Sequence, residues 1–176
     1  MKTLKSVLTP LIVCCVFFSA QAQTQIDEIV KDWERAKAYT QEYLEAMPES
    51  GYDLKPTEEI RSFAEQMLHI NDANYAFVSA ASGQPVPEGL GQSEKTDDKS
   101  KENVTQLVLA GYDYAINSIK KMSPAELKEN TTLFGRFEMT KEAAIKKAFE
   151  HQTHHRGQTT IYLRLADVKP PAEKLF

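Results

Sequence analysis

The chain holds four histidines, and three of them, His151, His154 and His155, fall within five residues; the fourth, His69, lies far upstream. Imidazole is the commonest side-chain metal ligand and titrates near neutral pH. Each helical residue turns by roughly 100°, so His151 and His155, at i and i+4, stack on one face. On that wheel they lie beside Ala144 and Tyr162 at the edge of an apolar arc, and His154 falls on the far side. Such a pair can chelate one first-row metal ion. It can also be two half-buried histidines that must hydrogen-bond inside a core, because burying them unpaired is costly. His154 reads as a solvent-facing histidine.

Neighbouring residues narrow the chemistry. A zincin needs glutamate directly after the first histidine, as general base. Here that position is Gln152, which cannot take a proton. A ferritin-like di-iron bundle needs paired Glu-x-x-His motifs, but Thr153 follows Glu150 at the third position and Leu68 follows Glu65. Gly157 sits in mid-helix at a cost of roughly 1 kcal/mol against alanine, which close approach of a backbone or ligand would excuse. Gln158 and Tyr162 could flank a metal, or Gly157 could be a tight helix contact and Tyr162 plain core. His69 lies opposite the bulky stripe of its segment (Ile60, Phe63, Met67, Val78), on a face of small residues such as Ala73 and Ala80. That face is either solvent-exposed or a close helix contact.

Four helical segments and no convincing strand position these residues. The first runs from about Gln25 to Met47, with apolar residues three and four apart, and Pro48 and Gly51 end it. The second starts near Pro56-Thr57, with Thr57 as cap, and runs to about Ala81. A long exposed loop, Gly83–Ser100, carries Pro85, Pro87 and a charged run. A connection of that length lets two consecutive helices lie parallel. The third helix spans about Glu102–Met122. Ser123-Pro124-Ala125-Glu126 is a capping box; Thr131–Met139 reads as a linker; Thr140 caps a fourth helix to about Ala166, and Pro170-Pro171 forbids continuation. The pattern is all-α, an antiparallel four-helix bundle in one domain over residues 23–176.

Met1–Ala22 reads as a cleaved signal peptide: Lys2 and Lys5, an apolar run to Phe18, then Ala20-Gln21-Ala22. Export follows, to a periplasm or the medium, with no membrane attachment after cleavage. Both cysteines leave with the leader, and the remaining 154 residues hold 19 basic and 25 acidic side chains, a net charge of −6. No thiolate ligand or cysteine nucleophile is left. An acidic chain lacks the basic footprint of a nucleic-acid binder.

The run His151-Gln-Thr-His-His155-Arg-Gly-Gln158, then Tyr162-Leu163-Arg164 and Pro170-Pro171, resembles the C-terminal signature of the DinB family of four-helix-bundle metalloproteins. Pro48-Glu49, Pro56, Arg61-Ser62 and Leu68-His69-Ile70 are similar as well. The resemblance covers the whole mature chain. It implies an up-down-down-up bundle and a tendency to form a homodimer. It also implies a three-histidine metal site at His69, His151 and His155, with open coordination filled by water. Zinc or nickel are the usual metals of such relatives, and iron suits the same donors. Characterised relatives include thiol-dependent transferases and an isomerase that uses a small thiol, so a small-molecule substrate or thiol is the expected partner. An export leader departs from relatives whose thiol cosubstrates are cytoplasmic. Metal-dependent transfer or hydrolysis is one expectation, and a non-catalytic metal-binding or scaffold protein the other. No catalytic residue is assigned.

Overall fold

The computed structural model describes residues 8–88 and 90–176, and for 8–24 the backbone alone. The side chains of the leader read at Met1–Ala22 lie outside it. Helix α1 spans Leu8–Ala46. It begins upstream of the expected Gln25 because no glycine or proline stands between Leu11 and Ala46 to stop it. No helix among the described residues is long and apolar enough to cross a membrane.

Helix α2 spans Phe63–Ser82, five residues later than the Thr57 cap predicts. Its start is fixed at Ser62 by a complete capping box. The Ser62 hydroxyl accepts from Glu65 N, and the Glu65 carboxylate accepts from Ser62 N. The preceding turn satisfies two further amides: Phe63 N donates to Leu54 O and Ala64 N to Tyr52 O. Gly83, at φ 70°, ends the helix in the left-handed conformation that glycine adopts freely. Helix α3 spans Lys101–Lys120 and α4 spans Lys141–Leu165, the latter capped by Thr140 as expected.

The segment read as a linker is an antiparallel hairpin of β1 (Asn130–Leu133) and β2 (Phe137–Thr140), pairing Asn130 with Thr140 and Leu133 with Phe137. Its turn sets Phe134 at φ 52° and Gly135 at φ 70°, and Arg136 N donates to Leu133 O. Two successive positive φ angles match the right-handed twist of a hairpin. A bulky residue such as phenylalanine takes the first of them at roughly 1–2 kcal/mol. Four-residue strands and a Phe-Gly turn in place of Asn-Gly gave no clear strand signal.

Contacts give the helices their relative sense. Along α2 and α3 they advance together: a Cβ added at Gly111 would meet Asn71, Tyr75 stacks near Tyr114, and Gln84 accepts from Lys121. Along α2 and α4 they run oppositely, from Gln66 with Gln158 to Phe77 with His151. The core between the helices includes Trp33, Phe63, Met67, Leu68, Tyr112, Ile119, Ile145 and Leu163, all essentially inaccessible. Burial at roughly 25 cal/mol per Å² of apolar surface is what holds amphipathic helices together.

Candidate metal centre

Antiparallel packing of α2 on α4 brings His69 across from His151 and His155. Ring centroids lie 5.0 Å apart for His69–His151, 4.5 Å for His69–His155 and 4.4 Å for His151–His155. One nitrogen from each ring can be chosen so that all three lie within 4.8 Å of one another. His69 therefore reaches across to α4, while Ala73 and Ala80 on the same face stay half-buried. A tetrahedral zinc ion, with bonds of about 2.0–2.1 Å, asks for nitrogens roughly 3.3 Å apart.

Two of the rings are held by their other nitrogen. His69 Nδ1 donates to Glu94 Oε1 at 2.7 Å. His155 Nδ1 donates to Gln66 Oε1 at 2.9 Å. Each bond fixes the tautomer with Nε2 as a bare lone pair, the arrangement that orients histidine ligands around a metal. Gln66 is itself set by donating from Nε2 to Gln158 Oε1 (3.0 Å) and towards Tyr162 Oη (3.4 Å), and Tyr162 Oη donates to Arg61 O (2.6 Å). His151 differs: its Nδ1 is buried and has no partner. A buried imidazole nitrogen left unpaired is costly, and three clustered imidazoles with one such atom fit a divalent cation.

His151 and His155 are neutral at ordinary pH. Burial, reinforced by the neighbouring imidazoles, lowers His151 to about 4 and His155 to about 3. These two imidazoles therefore carry no proton that a cation would have to displace across the neutral range.

The crossover loop takes part. It is not wholly exposed: a 3-10 turn at Ser93–Lys95 tucks in, and Ser93 is buried. Asp72 on α2 clamps this turn, its carboxylate accepting from Ser93 N (2.7 Å), Ser93 Oγ (2.6 Å) and Glu94 N (2.9 Å). Lys99 reaches Glu65 at 2.9 Å, and Ser62 N with Lys99 holds the Glu65 carboxyl down at about 2. So anchored, the loop delivers Glu94 to His69. We expect Glu94→Gln, which keeps the shape and removes the charge, to weaken zinc affinity roughly tenfold. A chelator competition titration reads it, and unchanged affinity would show that Glu94 does not orient His69.

Other residues near the motif do structural work. His154 is exposed and accepts from Gln158 Nε2 at 2.8 Å. Gln158 bridges Gln66 and His154 and bonds none of His69, His151 and His155 directly. Tyr162 is core. Gln152 is fully buried and accepts from Tyr112 Oη (2.9 Å) and Arg156 Nη1 (2.6 Å). Gly157 is exposed, with nothing within 4 Å of an added Cβ. It is neither a tight helix contact nor a ligand approach. Gln66 had a faint sequence signal, three residues before His69 on the same face. Glu94, inside a charged loop run, had none.

The sequence model of the DinB family matches residues 20–175. A curated relative, the uncharacterized protein YjoA of Bacillus subtilis (strain 168), is 25% identical over 146 residues, which cover 80% of this chain and 90% of its own. Among solved structures, a DinB-like protein from Bacillus cereus ATCC 10987 superposes with a TM-score of 0.74 at 18% identity, over 84% of this chain and 97% of that one. The crystal structure of YjoA superposes with a TM-score of 0.63 at 23% identity, over 85% and 96%. At these identities the structural likeness speaks to the fold, a largely helical bundle.

Proposed function

This chain belongs to the DinB family, and from that premise we propose that it holds one divalent ion through His69, His151 and His155 as a metal-dependent enzyme, thiol-transferring or hydrolytic. The observation that carries the reading is the convergence of three imidazoles from two helices, two of them locked with Nε2 free. Zinc or nickel fits these donors best, and iron is compatible. A bound ion with open coordination supplies Lewis acidity, which favours the deprotonated form of a coordinating water or thiol. The chain's own residues do the rest. His69, His151 and His155 hold, Glu94 and Gln66 orient, and burial keeps His151 and His155 unprotonated. The leader's composition supports export after cleavage behind Ala22, and we read the protein as a homodimer acting on a small molecule.

Gln152 favours a second reading, a non-catalytic metal-binding protein. The position beside the first ligand carries a side chain that moves no proton and is committed to Tyr112 and Arg156. Zinc-loaded and metal-free protein, incubated with small thiols and electrophiles, separates the two. Turnover that needs the ion supports the enzyme; none across several thiol–electrophile pairs and simple esters leaves binding alone. Exported protein should begin at Gln23.

A further inference from the structure

Beside the three histidines, the hairpin and α4, with Phe77 of α2, line an open cleft of about 510 Å³. We propose that this cleft is the substrate pocket of the metal centre, and that its substrate is a small molecule with an uncharged aromatic or alkyl body and a metal-binding head. The inference rests on the metal-dependent reading given above. His151 belongs to both features: its nitrogens can face the ion, and it lines the cleft with Phe77, Leu133, Phe134, Phe137 and Met139. The aromatic wall is continuous. Phe134 stands edge-on to Phe77 at 5.1 Å, and Phe77 lies against the His151 ring at 5.6 Å. A molecule seated on this wall has its far end at the histidines.

The chemistry of the body follows from what the wall offers. Phe134 and Phe137 are 58% and 46% exposed, and neighbouring exposed apolar groups of this size mark binding surfaces. Phe134 also holds a left-handed backbone conformation that asparagine or glycine would take more readily, so its ring is kept there against local preference. The charges at the rim cancel: Lys147 Nζ lies 2.7 Å from Glu150 Oε2. The other nearby cation, Arg136, is engaged over the Phe137 ring at 4.5 Å from its centroid, so neither it nor Lys147 calls for an anionic body. The volume is within the usual range of roughly 300–1,000 Å³ for small-molecule pockets, which are mostly apolar with a few polar groups at one end.

Acetohydroxamate and benzohydroxamate share one metal-binding head and differ in the body, so together they read the pocket. On zinc-loaded full chain, calorimetry should find benzohydroxamate bound roughly tenfold or more tightly than acetohydroxamate. In a Phe134→Asn/Phe137→Thr variant, whose residues suit the turn and the strand, that advantage should vanish. Zinc content and acetohydroxamate affinity should stay unchanged. Equal binding of the two probes by the wild type, or an advantage that survives the double substitution, overturns the pocket. A double variant that sediments as a monomer where the wild type is a dimer overturns it too, because the rings then face a second copy. Zinc that fails to load is seen before any probe is added, and it overturns the metal reading from which the pocket proposal starts.

Discussion

Replacing His155 with alanine is expected to leave the purified protein without stoichiometric metal, while His154→Ala keeps it. Apparent free energies of structural zinc sites run to about 10–16 kcal/mol over four ligands, so one imidazole accounts for about 3 kcal/mol, or more than a hundredfold in affinity. His154, the residue next to His155, is exposed and hydrogen-bonded to Gln158. Its loss should change affinity less than twofold. Elemental analysis and chelator competition check both variants. The fold should survive His155→Ala because Gln66 keeps its bonds to Gln158 and Tyr162. Metal retained by His155→Ala at wild-type stoichiometry would end the three-histidine reading.

The same burial has a pH consequence for metal-free protein. His151 and His155 titrate near 4 and 3 when folded and near 6.5 when unfolded. Between those values the unfolded chain binds more protons, so stability is complete above about 6.5 and falls as pH drops towards 4 and then 3. Denaturant midpoints of chelator-treated protein at pH 7.5, 6 and 5 should decline in that order. His155→Ala should decline less, because one of the two depressed groups is gone.

What could be read from sequence was what a single helix repeats. The inward pair His151 and His155, the outward His154, the Thr140 cap and the Ser123–Glu126 box all depend on residues a few positions apart. Their geometry is set before any tertiary contact forms. His69 was ambiguous because its value lies in what faces it. A small-residue face is solvent or interface depending on whether α4 lies there, and the wheel of α2 holds no information about α4. The start of α2 slipped because Thr57-Glu58-Glu59 and Ser62-Phe63-Ala64-Glu65 both look like openings. The carbonyls of Tyr52 and Leu54 decide for Ser62, and that pairing needs the buried turn around Tyr52. Glu94 and its clamp Asp72 are 22 residues apart. Their meeting depends on the path of the whole crossover loop.

Gly111→Ala and Gly157→Ala should have opposite signs, although both glycines lie inside helices. Alanine gains roughly 1 kcal/mol over glycine in a helix interior through propensity alone. At Gly157 nothing lies within 4 Å of the new methyl, so the gain is kept, and the melting temperature should rise by a few degrees. At Gly111 the added Cβ would sit 1.9 Å from Asn71 Oδ1, 3.1 Å from Asn71 Cγ and 3.4 Å from a Tyr75 ring carbon. Asn71 cannot step aside freely. It is completely buried, and its Nδ2 donates to Ser93 Oγ at 2.9 Å. Overpacking costs typically 1–3 kcal/mol and the strained bond to Ser93 about 1 kcal/mol more, so after the propensity gain we expect a net loss of about 1–3 kcal/mol. Because Ser93 adjoins Glu94 on the clamped turn, that strain should reach the metal site. Zinc affinity of Gly111→Ala should fall by a factor similar to that of Glu94→Gln, with every ligand in place. Denaturant unfolding and chelator competition on the two alanine variants measure both effects. A Gly111→Ala protein of wild-type stability would mean that α2 and α3 have room to part. Lost stability with unchanged zinc affinity would mean that the loop does not transmit the strain to His69.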